Sequence, residues 1–261
     1  MSRRGKRIGR QVFESMLLLS QILLVIASPF MGSFLGAVIT RWAAGRPLYS
    51  GRATCDCGQV VLSPRDMIPI ASWTLSQGRC RVCTRGLGRL YPAIELAALL
   101  IALWSIAELP GDFIWTGAAF GWTLLVIGAI AWREGKLPMA LVIALGIAGL
   151  LLAGSDGWAA VGNHLIGAIA GYAAYFAMAE LLNFWQRRQI LRSYDAMLPA
   201  ALGAWLAWQG FPAVLLIAVI VALMLAPAHR TLNYPHADRA IAVGLCSGAW
   251  LVWLYGPVFF A

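Results

Sequence analysis

Eight apolar runs constrain what this chain can fold into more than any other feature of its sequence. Most of them approach or exceed the ~20 residues that an α-helix needs to cross the hydrocarbon core of a bilayer. The chain is 61% hydrophobic and only 12% charged, whereas soluble domains are about a quarter charged. We therefore predict an all-α polytopic membrane protein, embedded in the lipid bilayer, with about eight transmembrane helices. The runs lie at residues 15–42, 92–109, 113–132, 138–154, 160–184, 197–209, 212–228 and 239–260.

One long polar segment, residues 43–91, separates the first apolar run from the other seven. It divides the chain into an N-terminal tail with the first helix (1–42), a polar loop (43–91) and a membrane-embedded helical domain (92–261). The net charge of +9 lies in the loops between apolar runs. That distribution is typical of membrane topology, so we do not expect nucleic-acid binding.

The distribution of Lys and Arg also predicts an orientation. Of the 20 such residues, 15 lie at 41–89, in or just before the polar loop, or in later loops on its side of the membrane, and five lie in the N-terminal tail. The positive-inside rule then places the polar loop in the cytoplasm and both termini outside. The basic tail favours the opposite orientation, and would join the cytoplasmic side if the number of spans were one lower.

Four of the five cysteines crowd into the polar loop. Two close pairs of cysteines, separated by a short intervening segment, suit a tetrahedral structural zinc site. A loop without a core of its own gains stability from such a metal. Free thiols and a disulfide are the alternatives, although disulfides are rare on a cytosolic face. The four candidate zinc ligands are Cys55, Cys57, Cys80 and Cys83.

Several short motifs follow one another through the first part of the chain. They are Gly32-Ser33-Phe34-Leu35 with Arg41, the paired cysteines, Asp66-Met67-Ile68-Pro69 with Ser72-Trp73, Gly78-Arg79-Cys80-Arg81-Val82-Cys83, and Tyr91-Pro92-Ala93-Ile94-Glu95. In this order they resemble the N-terminal part of bacterial prepilin leader peptidases, and the resemblance resumes at 124–140 and 187–208. It implies an aspartic endopeptidase of the bacterial inner membrane that cleaves leader peptides from type IV prepilins or pseudopilins, in pilus or type II secretion systems. The family also N-methylates the product with S-adenosylmethionine.

The resemblance implies two catalytic aspartates, of which this chain has one. The family's first aspartate stands seven residues before the proline of a Leu-Pro, and that position is Ala131 before Leu137-Pro138. The second closes a Gly-x-Gly-Asp motif, and here the aspartate is Asp195. Both glycines of that motif are replaced, by Arg192 and Tyr194. An aspartic protease needs one ionised and one protonated carboxyl group, so a single aspartate leaves the enzymatic activity in question.

Two hypotheses follow from the missing aspartate. Glu134 lies three residues after Ala131, on the same face of a continuing helix, and is a possible substitute carboxylate. Its alternative role is that of a solvated acid between Arg133 and Lys136. If no carboxylate substitutes, the chain is a catalytically impaired homologue that acts as a binding or assembly factor.

Overall fold

The computed structural model describes residues 3–45, 69, 71–79, 88–155, 157–187, 193–231 and 237–260. Throughout these ranges the regular secondary structure is helical. The helices are α1 (Arg3–Ala43), α2 (Ala71–Leu75), α3 (Leu90–Glu108), α4 (Ile114–Glu134), α5 (Met139–Ser155), α6 (Trp158–Gln186), α7 (Met197–Thr231) and α8 (Ala237–Phe260). Short 3-10 helices at Gly111–Phe113 and Ser193–Ala196 precede α4 and α7.

Six helices in the described part of the chain are long and apolar enough to cross a membrane. They contain Gln11–Ala43, Leu90–Glu108, Gly111–Glu134, Trp158–Trp185, Met197–Leu225 and Arg239–Gly256. The α5 helix is apolar but shorter, at 17 residues. The predicted all-α polytopic membrane fold is confirmed, and each of the eight predicted apolar runs is helical.

The chain divides into two compact units, Met1–Trp122 and Thr123–Ala261. In the first unit α1 packs against α3, and small residues allow their backbones to approach closely. A Cβ atom on Gly32 would lie 2.5 Å from Cα of Glu95, and one on Gly36 would lie 2.9 Å from the ring of Tyr91. The Tyr91 hydroxyl is hydrogen-bonded to Oγ1 of Thr40 at 3.0 Å. Two of the sequence motifs therefore meet in one helix–helix contact.

In the second unit α7 is broken at Ala207, whose φ of 53° and ψ of −177° are not helical. The contacts of Gly171 on α6 show how sharply the chain turns at Ala207. A Cβ atom on Gly171 would lie 2.5 Å from the carbonyl oxygen of Pro199 and 3.1 Å from the ring of Phe211. A straight helix would separate Pro199 from Phe211 by ~18 Å along its axis. The two arms of α7, residues 197–206 and 208–231, therefore fold back on each other.

The contacts of α7 with α8 show the same reversal. The ring of Trp205, at the end of the first arm, lies edge-on to that of Trp253, with centroids 5.4 Å apart. Further along the second arm, Ala218 lies against Gly244 of α8. Asp195, just before the first arm, lies beside Arg239 and Ala242 at the start of α8. The partner residue on α8 therefore moves toward its C-terminus along the first arm and back toward its N-terminus beyond Ala207. The apolar runs 197–209 and 212–228 are two arms of a helical hairpin, whose turn lies at Ala207.

The break in α7 is held by α6. Where a helix ends, the carbonyl oxygens of its last turn lose their regular donors. Nδ1 of His164 donates a hydrogen bond to the carbonyl oxygen of Ala204, at 2.8 Å. One turn along α6, a Cβ atom on Gly167 would lie 2.7 Å from the carbonyl carbon of Ala207 and 2.8 Å from the backbone nitrogen of Trp208. The turn of the hairpin therefore requires glycine at 167 and gains a donor from His164.

Replacing Gly203 with alanine is expected to lower the Tm of the purified protein in detergent. Gly203 packs against the backbone of Gly167, and an added methyl group would collide with that backbone rather than with a movable side chain. Overpacking of this kind costs about 1–3 kcal/mol. Gly162→Ala is the matched control on α6, because a Cβ atom there meets nothing within 4 Å. Equal Tm values for the two variants would contradict the close α6–α7 contact.

Candidate active site

Asp195 lies at the entrance to the α7 hairpin. It belongs to the 3-10 helix Ser193–Ala196, which leads directly into the first arm. Its side chain is partly buried, and Oδ1 is shielded from solvent. A carboxylate near the start of a helix is favoured by the unpaired N–H groups and the positive end of the helix dipole. The short first arm therefore presents the carboxylate at one end of the helix bundle.

The first arm is fixed to its neighbours along its length, which limits how far Asp195 can move. Nε1 of Trp205 donates to the carbonyl oxygen of Leu145 on α5, at 2.6 Å. A Cβ atom on Gly149 of α5 would lie 2.7 Å from the carbonyl oxygen of Ala204. The buried hydrogen bond and the close contact clamp the arm between α5 and α6. Buried, satisfied polar contacts of this kind rigidify a site.

Ala131 lies on the last turn of α4 and is 2% exposed. It lines the same cleft as Asp195, a small space of about 10 Å³ that opens to solvent. The complete lining is Ala131, Gly135, Lys136, Leu137, Asp195, Arg239 and Ala242. The two positions that the sequence assigned to a pair of catalytic carboxylates therefore face one cleft. One of them carries a carboxylate and the other a methyl group.

Gly135 ends α4 and shapes the cleft. Its φ is +62°, the left-handed conformation in which glycine commonly terminates a helix. Its N–H donates to the carbonyl oxygen of Ala131 at 2.9 Å. A Cβ atom on Gly135 would lie 2.8 Å from Nε of Arg239. The absence of a side chain at 135 thus makes room for the guanidinium group of Arg239.

Arg239, at the start of α8, also lines the cleft. Its Nη1 donates to the carbonyl oxygens of Trp132 (3.3 Å) and Arg133 (3.4 Å) at the end of α4. Basic side chains are favoured at such C-terminal carbonyls. In the sequence, Arg239 is only one of the basic residues that indicate membrane orientation. A basic residue at the entrance to an apolar run, on the same side as Asp195, was the available indication of its role.

The charged lining of the cleft consists of Asp195, Arg239 and Lys136, and Lys136 is exposed. Glu134, the possible substitute carboxylate, is the last residue of α4 and is partly exposed. Among the described residues it is not part of the cleft lining. Its assignment as a substitute therefore stays a prediction without support from the geometry.

The four candidate zinc ligands, Cys55, Cys57, Cys80 and Cys83, lie outside the described residues. The same is true of Arg192, one of the two residues that replace the family's glycines. The zinc site and the binding of S-adenosylmethionine thus stay predictions. Cys246, the fifth cysteine, is buried in α8 against Gly128 of α4 and serves packing.

Comparison with known proteins matches two family models to the two parts of the chain. Residues 26–109 match the bacterial peptidase A24 N-terminal domain. Residues 118–226, which include Ala131 and Asp195, match the type IV leader peptidase family. The chain belongs to the type IV leader peptidase family. Arg239 lies beyond the segment that this family model matches, so its place in the cleft comes from the structure.

Individual relatives agree with this membership. A protein of Aeromonas salmonicida (strain A449) is 30% identical over 208 residues, which cover 78% of this chain and 72% of the relative. One of Pectobacterium carotovorum subsp. carotovorum is 29% identical over 82% of this chain and 85% of its own length. One of Burkholderia pseudomallei (strain 1026b) is 37% identical over 65% and 55%. All three are named prepilin leader peptidase/N-methyltransferase. No solved structure matches the chain.

Proposed function

We propose that this protein is a leader peptidase of the bacterial inner membrane, acting on type IV prepilins or pseudopilins. The observation that carries the proposal is the meeting of Asp195 with position 131 in one cleft at the end of the helix bundle. The relatives named prepilin leader peptidase support the substrate class. Asp195 is the group that would take a proton from the attacking water and return it to the leaving amine.

A second function is favoured by one specific observation, the methyl group of Ala131 in the cleft. A methyl group can neither hold nor donate the proton that a second catalytic carboxyl group supplies. A protein with this cleft could still bind a prepilin segment and act in assembly without cutting it. The proposed peptidase and this binding factor differ in whether the leader is removed.

Co-expression with a prepilin in a host that lacks a leader peptidase distinguishes the two functions. Under the proposed function the prepilin is recovered in its leader-cleaved form, as mass spectrometry of its N-terminus would show. Recovery of intact prepilin, together with its co-purification in detergent, would establish the binding factor instead. Intact prepilin without co-purification would contradict both functions.

The orientation is also a proposal. Positive residues at 133, 136, 187, 188, 192, 230 and 239 support a cytoplasmic location for the loops on the side of the cleft. The polar loop is proposed to lie on that side as well, because the eight basic residues at 41–89 follow the same rule. A cytoplasmic cleft would receive the leader from the side on which prepilins are synthesised.

Metal analysis of the purified protein tests the proposed zinc site in the polar loop directly. Four thiolates suit tetrahedral Zn²⁺, and we expect about one zinc ion per chain. The double variant Cys80→Ser, Cys83→Ser should lose it, because two ligands do not hold structural zinc. Cys246→Ala is the matched control and should retain the metal. Stoichiometric zinc in the double variant would refute the four-cysteine site.

Methyl transfer from S-adenosylmethionine is proposed on narrower grounds. It rests on the match of residues 26–109 to the A24 N-terminal domain and on the names of the relatives. Within this segment, the described residues bring Gly32, Tyr91 and Glu95 together between α1 and α3. Mass analysis of cleaved pilin would show the added methyl group if the activity is present.

A further inference from the structure

The cleft differs from a two-aspartate site in charge as well as in the number of carboxylates. A pair of catalytic aspartates carries one or two negative charges, because the two groups share a proton. Here the lining contains one carboxylate and two cations, and one of the cations is held in place. We propose that Arg239 acts as the electrophilic group of this site, taking the part that a protonated carboxyl group at position 131 would otherwise have. This inference rests on the proposed peptidase function.

The position of Arg239 is suited to this role because the guanidinium group is anchored. Its Nη1 is fixed by the α4 carbonyl oxygens of Trp132 and Arg133, and its Nε is shielded from solvent beside Gly135. A guanidinium group carries five N–H donors in a rigid plane, so it can serve the α4 carbonyl oxygens and a substrate oxygen at the same time. A preorganised donor stabilises developing negative charge more effectively than one that must reorganise.

Hydrolysis of the peptide bond then balances with the residues present. Asp195 accepts a proton from water, and the water oxygen attacks the scissile carbonyl carbon. The π-electron pair of the carbonyl moves to its oxygen, which Arg239 stabilises through N–H hydrogen bonds. The electron pair returns, the carbon–nitrogen bond breaks, and Asp195 delivers its proton to the leaving amine nitrogen. Arg239 keeps its charge throughout and transfers no proton, which distinguishes it from a second carboxyl group.

The decisive experiment compares Arg239→Gln in two backgrounds, the wild-type chain and Ala131→Asp. In the wild-type background, loss of the donor is expected to lower kcat about 100-fold with little change in KM, as for other oxyanion donors. In the Ala131→Asp background the new carboxyl group supplies the same stabilisation, so the effect should fall to within about threefold. Arg133→Gln is the matched control, since Arg133 is an exposed arginine on the last turn of α4 and is not among the residues that line the cleft.

Comparing Arg239→Gln in the two backgrounds separates an effect on the chemical step from an effect on protein stability. If Arg239 serves only to cap α4, Arg239→Gln will reduce activity equally in both backgrounds, and the inference is overturned. Wild-type cleavage that survives Arg239→Gln overturns the inference while the proposed function stands. A wild-type protein that cleaves no prepilin overturns both.

Discussion

Replacing Asp195 with asparagine is expected to abolish leader cleavage, lowering the rate by at least ~100-fold. Asparagine has nearly the same shape and fits the partly buried position at the start of α7, but it cannot accept a proton from water. Among the described residues that line the cleft, no other side chain is a carboxylate. The measurement is the rate of conversion of purified prepilin by the purified protein in detergent, followed by mass spectrometry.

The control for this variant is Asp112→Asn, the same chemical change at an exposed residue of the 3-10 helix Gly111–Phe113. It should cleave at the wild-type rate. Glu134→Gln adds a second comparison, because Glu134 lies outside the described lining of the cleft and should be dispensable. Cleavage that persists in Asp195→Asn and disappears in Glu134→Gln would reverse the two assignments.

Replacing Ala131 with aspartate is expected to raise the cleavage rate by about 100-fold, the contribution typical of a positioned acid or base. Ala131 lines the same cleft as Asp195, so a carboxyl group added there is expected to enter the space that Asp195 lines. Two carboxyl groups in so small a space share a proton, which supplies an acid that can donate a proton, as Arg239 cannot. The same purified assay measures this gain.

Ala131→Asn is the matched control, because it adds nearly the same volume without an acid. If both variants lose activity, position 131 does not tolerate a larger side chain and the cleft is too tight for a second carboxyl group. If both gain activity equally, added polarity rather than proton transfer explains the effect. A gain confined to Ala131→Asp supports a dyad geometry that the fold has kept.

The helices were predictable from the sequence, because apolar runs of this length have few alternatives in a membrane protein. The position of the turn in the α7 hairpin was not predictable from the sequence. The two predicted runs are separated at Gly210, where a glycine invites a break, whereas the chain turns at Ala207. Alanine has no intrinsic preference for a positive φ. Its conformation is imposed by packing against Gly167 and by the hydrogen bond from His164, and such long-range contacts leave no local pattern.

The candidate site likewise has one part that the sequence predicted and one part that it did not. The resemblance to family motifs predicted that Asp195 and position 131 lie close together, although they are distant in the sequence. The shared cleft agrees with that pairing. Arg239 could not be assigned in this way, because its place depends on how α8 packs against the end of α4. Its neighbours are backbone carbonyls, which any residue type provides, so no sequence motif accompanies them.

The short α5 helix has a consequence for the lipid around the site. Its 17 residues rise about 25 Å, which is some 5 Å less than the ~30 Å hydrocarbon layer of an average bilayer. Ile143, Ile147 and Leu151 are exposed on this helix, and such apolar side chains suit contact with lipid. A bilayer adapts to such mismatch by thinning, at a cost of fractions of a kcal/mol per Å. Because α5 begins just after Leu137 of the cleft, thinning there shortens the path that a polar backbone segment must travel to reach Asp195.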